Sequence, residues 1–151
     1  MNRIFPNNKD VRRLILKKYL CELDRYLLFY SLGVRKEFLI TTMMNYAALN
    51  GYLNVLKWLV QDVCPWDGCP WDSFVCSYAA ENGHLEVLKW LRENKCPWNS
   101  SVFSYAALNG HLEVLQWALK NGCDWSIRAY SNASLNGHLN VMEWIEENGL
   151  E

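Results

Sequence analysis

From position 46 onward the hydrophobic and polar positions fall into one order, four times over. YAALNGYLNVLKWL at 46–59 returns as YAAENGHLEVLKWL at 78–91 and as YAALNGHLEVLQWA at 105–118, with a diverged copy, NASLNGHLNVMEWI, at 132–145. The glycines at 51, 83, 110 and 137 set steps of 32, 27 and 27 residues, and the tryptophans at 58, 90, 117 and 144 step identically. Self-similarity at a short fixed period marks an array of stacked units rather than a globule around one core.

Within each unit the spacing predicts two short helices. In the third, Trp125 matches Trp98 and Trp71, and the residue after each is Ser126, Asn99 or Asp72. All three are types whose side-chain oxygen accepts from free backbone N–H groups at a helix start. Val102, Phe103, Ala106 and Ala107 then recur at helical spacing, and Asn109-Gly110 stops the helix because both residues tolerate the left-handed conformation. A second helix follows His111, with Leu112, Val114, Leu115 and Trp117 as its apolar side, and ends at Asn121-Gly122. Neither helix buries its stripe alone. Paired alanines allow close approach, and stacking on the next unit completes the core.

The pattern predicts an all-α helix-turn-helix solenoid of four repeats at about 41–67, 68–98, 99–125 and 126–151, behind an N-terminal helical cap over 1–40. In the last repeat Asn132 replaces a tyrosine, Ser134 replaces an alanine, and Glu146-Glu147-Asn148 follow. That polar drift suits a terminal unit facing water.

Charge separates the two parts. Residues 1–40 carry nine Lys and Arg against four Asp and Glu, and residues 41–151 carry six against twelve. The basic residues lack the clustered, aromatic-interleaved stripe of a nucleic-acid site, so no nucleic-acid partner is expected. There is no apolar signal segment at the start and no run near the ~20 residues of a membrane span, so an intracellular location, no membrane association and reduced cysteines are expected. Nothing in the pattern calls for self-association, and a monomer is expected.

Recurrence also argues against chemistry at the histidines and cysteines. His84, His111 and His138 hold one position in successive repeats, with Tyr52 in the first. Ligands of one metal must converge within about 2 Å of it, whereas units stacked as packed helices keep equivalent atoms about 10 Å apart. A helix-start histidine bonding to nearby backbone is the expected role. Cys64, Cys96 and Cys123 are likewise equivalent, and Cys76 falls where Phe103 and Tyr130 stand, so small buried hydrophobes are expected. Cys64 and Cys69 form the one close pair, leaving a minor metal or redox reading open at that loop. No phosphate-binding glycine loop and no nucleophile elbow occurs, so no enzyme activity, no cofactor and no metal are expected.

The line GHLEVLKWLREN at 83–94 closely resembles the second helix of the ankyrin repeat, and Ala-Ala before Asn-Gly resembles the end of that family's first helix. SVFSYAA at 101–107 departs from the family's T-P-L-H-x-A-A, and the 27-residue step is about six shorter than the family's, where a β-hairpin finger would stand. Short Trp-bearing repeats of this kind look like those of large DNA viruses of protists. The resemblance implies a module that binds a partner protein through its concave face and loop tips. The matching positions are Leu49, Glu81, Leu108 and Leu135 after the alanine pair, Phe74, Ser101 and Arg128 on first-helix exteriors, and the linker residues Trp66 and Trp71. Trp98 and Trp125 fit packing between repeats instead.

Residues 1–40 carry wording that resembles a degenerate F-box: Pro6, Leu14-Ile15, Tyr19-Leu20, Asp24-Arg25, Leu27-Leu28 and a closing VRKEF at 34–38. The distance from Pro6 to Tyr19 exceeds the family's, and the usual Val-Cys near the end is missing. The resemblance implies docking onto the adaptor of a cullin-type ubiquitin ligase, against the plainer role of capping helices.

One linker differs. CPWDGCPWD at 64–72 writes Cys-Pro-Trp-Asp twice, and its surplus of five residues accounts for the step of 32. A small tandem duplication is its simplest origin. The second copy, Trp71-Asp72, starts the next helix, and the first, Trp66-Asp67, is free to bulge, so Trp66 or Trp71 is the expected exposed tryptophan.

Overall fold

The structure, a computed structural model, describes residues 36–63 and 71–150. Trp66, Asp67, Cys64 and Cys69, and the F-box-like wording up to Arg35, lie outside the described residues. Among the described residues, eight α-helices form pairs as the repeat predicts: α1 (Lys36–Leu49) with α2 (Leu53–Trp58), α3 (Ser73–Glu81) with α4 (Leu85–Glu93), α5 (Ser101–Leu108) with α6 (Leu112–Lys120), and α7 (Arg128–Leu135) with α8 (Leu139–Glu147). The described part of the first of these helices includes Lys36-Glu37-Phe38, the end of the VRKEF stretch, and the chain divides into compact units at Phe38/Leu39. A five-residue π-helical turn, Leu59–Val63, follows α2 where the lengthened linker begins.

The starts of the first helices are set by the residues the sequence names. Asp72 Oδ1 accepts from the Phe74 N–H at 3.0 Å, Asn99 Oδ1 from Ser101 N–H at 2.9 Å, and Ser126 Oγ from Arg128 N–H at 3.3 Å. Each satisfies a backbone donor that has no partner within the helix.

Their ends share one geometry. Gly83 has φ +70°, its N–H donates to Ala80 O at 3.2 Å, and His84 N–H donates to Ala79 O at 2.8 Å. This pair of bonds closes the helix through a left-handed residue. The same bonds recur around Gly51, Gly110 and Gly137. Second helices end alike at Gly122 and Gly149, but α4 ends on Lys95, which takes φ +61° without being glycine.

Helices of eight or nine residues are too short to persist alone in water, so burial holds them. Val87, Leu88 and Leu91 of α4 and Val114, Leu115 and Ala118 of α6 are buried, each set on one helix face. Ala79, Ala80, Ala106 and Ala107 are fully buried. From α3 onward, close approaches occur within each pair and between successive first helices, α3 to α5 and α5 to α7, more than between second helices. The array is therefore tighter along its first-helix side.

In the last repeat Ser134, Glu146, Glu147 and Asn148 face water as the polar drift predicts. Asn132 does not: it is half-buried, and its Nδ2 donates to Ser104 O in the third repeat at 2.9 Å. Its amide reaches sideways to a backbone acceptor.

Candidate partner-binding face

Leu49, Glu81 and Leu108 close α1, α3 and α5 and are half-buried, whereas Leu135, which closes α7, is 83 % exposed. Phe74 lies in the first turn of α3, 49 % exposed, with its ring 6.3 Å from Tyr78. Spacings of four and three put Phe74, Tyr78 and Glu81 on one side of α3. Ser101 is half-buried and Arg128 is exposed at the start of α7. Tyr46, Tyr78 and Tyr105 occupy equivalent positions in three successive first helices, all half-buried. The recurring Tyr-Ala-Ala of the sequence carries this row, which lies outside the positions the resemblance implies.

Trp71 does not stand free. It is half-buried with its ring edge-on to Trp90 of α4 at 6.2 Å, and Trp98 meets Trp117 of α6 in the same way at 5.7 Å. The Arg92 guanidinium lies over the Trp98 ring, 4.3 Å from its centre, and Nη1 donates to Cys96 O. The expectation that Trp98 packs into the junction agrees with this geometry, and Trp125 is also half-buried. Trp71 and Trp98 each rest on the second helix of the repeat they introduce.

Each histidine reaches farther than nearby backbone. His84 Nε2 bonds Leu49 O at 3.1 Å, His111 Nε2 bonds Glu81 O at 3.0 Å, and His138 Nε2 bonds Leu108 O at 3.0 Å. A carbonyl only accepts, so Nε2 carries the proton in all three. The acceptors are terminal carbonyls of the preceding first helix, which lack partners within it. Asn82 Nδ2 adds a second bond to Leu49 O at 2.7 Å. The imidazoles lie against the glycines of that preceding repeat: a Cβ at Gly51, Gly83 or Gly110 would come within 2.8, 2.6 and 2.6 Å of His84, His111 and His138. Every ring is committed to its own junction, and the three do not converge.

The thiols are sealed in the same junctions. Cys76, Cys96 and Cys123 are buried, and Cys96 and Cys123, each at the end of a repeat, point Sγ at Asp72 O (3.8 Å) and Asn99 O (3.4 Å) near the start of the same repeat. Burial, with the Asp124 charge adding to it, pushes the Cys123 thiol up to about 12. Cys76 is pushed well above the usual thiol range by its hydrogen bond with Cys96 and then by burial. Neutral, buried thiols are poor nucleophiles. Among the described residues no three His, Cys, Asp or Glu are grouped to hold a metal ion, and no helix is long and apolar enough to cross a membrane.

A comparison with curated proteins found no match. A family described as ankyrin repeats (many copies) matches residues 76–119, from the middle of α3 into the last turn of α6. Helix pairing, the Asn-Gly-His loop and this match agree: residues 76–119 carry ankyrin repeats, modules that generally serve protein–protein interaction and are typically non-catalytic.

Proposed function

We propose that the array binds a partner protein through the first-helix side, on a face centred on Phe74, Tyr78 and Glu81 and extended by Tyr46, Leu49, Tyr105, Leu108 and Arg128. The observation that carries this reading is Phe74: a large aromatic side chain, half in water, on the face where three tyrosines align. Aromatic anchors dominate interface energies, and Phe74 and Tyr78 form an aromatic pair on one side of α3. The test is affinity capture from eukaryotic lysate with mass spectrometry, using wild type and Phe74→Arg side by side. Phe74→Arg is expected to lose the captured protein while keeping its helical circular dichroism. Equal recovery by both would refute this face.

A second reading rests on the F-box-like wording of residues 1–40. It makes that segment a docking element for a cullin-ligase adaptor and the array 41–151 its substrate receptor. Capture of the adaptor by the full chain, lost on deleting residues 11–34, is the expected result. Its absence with the segment intact removes this reading.

A further inference from the structure

The chain contains six Asn-Gly steps, at 50–51, 82–83, 109–110, 121–122, 136–137 and 148–149, all at helix ends. At such a step the glycine nitrogen can attack the asparagine side-chain carbon. The new C–N bond closes a five-membered succinimide, the amide C–N bond breaks, and ammonia leaves with the proton from the glycine nitrogen. Water then opens the ring to aspartate or isoaspartate. Glycine favours the attack because no Cβ crowds its nitrogen.

The fold holds every reacting group away from this path. Each glycine N–H is bonded to a carbonyl three residues back, as at Gly137 to Ser134 O (3.2 Å). Five of the asparagines donate Nδ2 to the carbonyl four residues back, Asn136 to Asn132 O at 2.9 Å among them, and Asn82 donates to Leu49 O instead. Reaction therefore requires local opening, and its rate follows the opening equilibrium of each loop.

Opening is not equally opposed. Gly51, Gly83 and Gly110 lie under the imidazole of the next repeat, whereas Gly122, Gly137 and Gly149 have nothing within 4 Å of a Cβ position. At 136–137 the loop is flanked by exposed Leu135 (83 %) and Leu139 (67 %). We propose that Asn136 is a site of spontaneous succinimide formation and isoaspartate insertion, and that a neighbouring histidine protects Asn50, Asn82 and Asn109 from the same fate. Isoaspartate adds a backbone methylene just ahead of His138, and it displaces the ring that ties the last repeat to Leu108 O.

The test is peptide mapping by mass spectrometry of the purified full chain aged in mildly alkaline buffer. Asn136 is expected to convert roughly fivefold faster than Asn50, Asn82 or Asn109, the change in opening that one average hydrogen bond sustains. His138→Ala uncovers Gly110, so Asn109 accelerates while Asn50 keeps its rate as an internal standard. In denaturant the spread among the six sites collapses. Three results would overturn the proposal: equal rates at all six sites in the folded chain, no change at Asn109 in His138→Ala, or an order that survives denaturant.

Discussion

A Cβ placed on Gly83 would lie 2.6 Å from His111 Nδ1, and the backbone there has φ +70°. Two penalties combine: the left-handed conformation costs an L-residue about 1–2 kcal/mol, and the clash displaces a ring that is hydrogen-bonded on its far side. Gly83→Ala is expected to destabilise the array by roughly 2–3 kcal/mol in urea unfolding, more than His111→Ala at about 1–2 kcal/mol. Lys95 shows the converse. At φ +61° it holds the place that Gly122 and Gly149 hold elsewhere, so Lys95→Gly is expected to raise stability by about 0.5–1 kcal/mol in the same measurement. The thiols give a pH dependence. Cys123 is pushed up to about 12 when folded against 9.0 as the ordinary value, so the folded state retains a proton that the unfolded chain releases. Its contribution is complete below pH 9.0 and is lost as pH rises toward about 12, and Cys76 acts in the same direction. Denaturant midpoints should fall through that window, and Cys123→Ala should flatten the fall.

Helix boundaries were legible because they are decided locally. Asp72, Asn99 and Ser126 accept from an N–H two residues on, and Asn-Gly closes each first helix, so capping chemistry alone locates them. Partner choice across a junction was not legible. A histidine at a helix start has backbone acceptors in its own repeat and in the preceding one, and only stacking decides that His111 takes Glu81 O. The tryptophans illustrate the same limit. Spacing showed that Trp71 and Trp98 recur, but not that each rests edge-on against the tryptophan 19 residues later in the following second helix. Trp98 is held by Trp117 and by Arg92 together, so Trp98→Ala is expected to cost about 3 kcal/mol, while Arg92→Met costs about 0.5–1 kcal/mol. Urea unfolding of each variant and of the pair would reveal their coupling.

Across the array, stability is a sum of repeats and nearest-neighbour junctions. The fold followed from the sequence because each repeat restates the same instruction, and Asn132 shows where a lone departure misled. Its polarity was read as a turn toward water, yet it ties α7 to Ser104 O. The binding face was only partly legible, since Leu49, Glu81 and Leu108 spend their carbonyls on the next repeat while Phe74 and the tyrosine row take the open side. Phe74→Arg should stay within about 0.5 kcal/mol of wild-type stability, as measured by urea unfolding, if that side is surface. The junction has one more property, and it concerns inheritance. Gly83 receives the next repeat's ring, and the adjacent His84 supplies a ring to the previous repeat, so one dipeptide carries both halves of a coupling. Copying or deleting a whole repeat therefore leaves each junction with a complete pair. A chain built this way can change its length in a single genetic step without having to evolve a new contact.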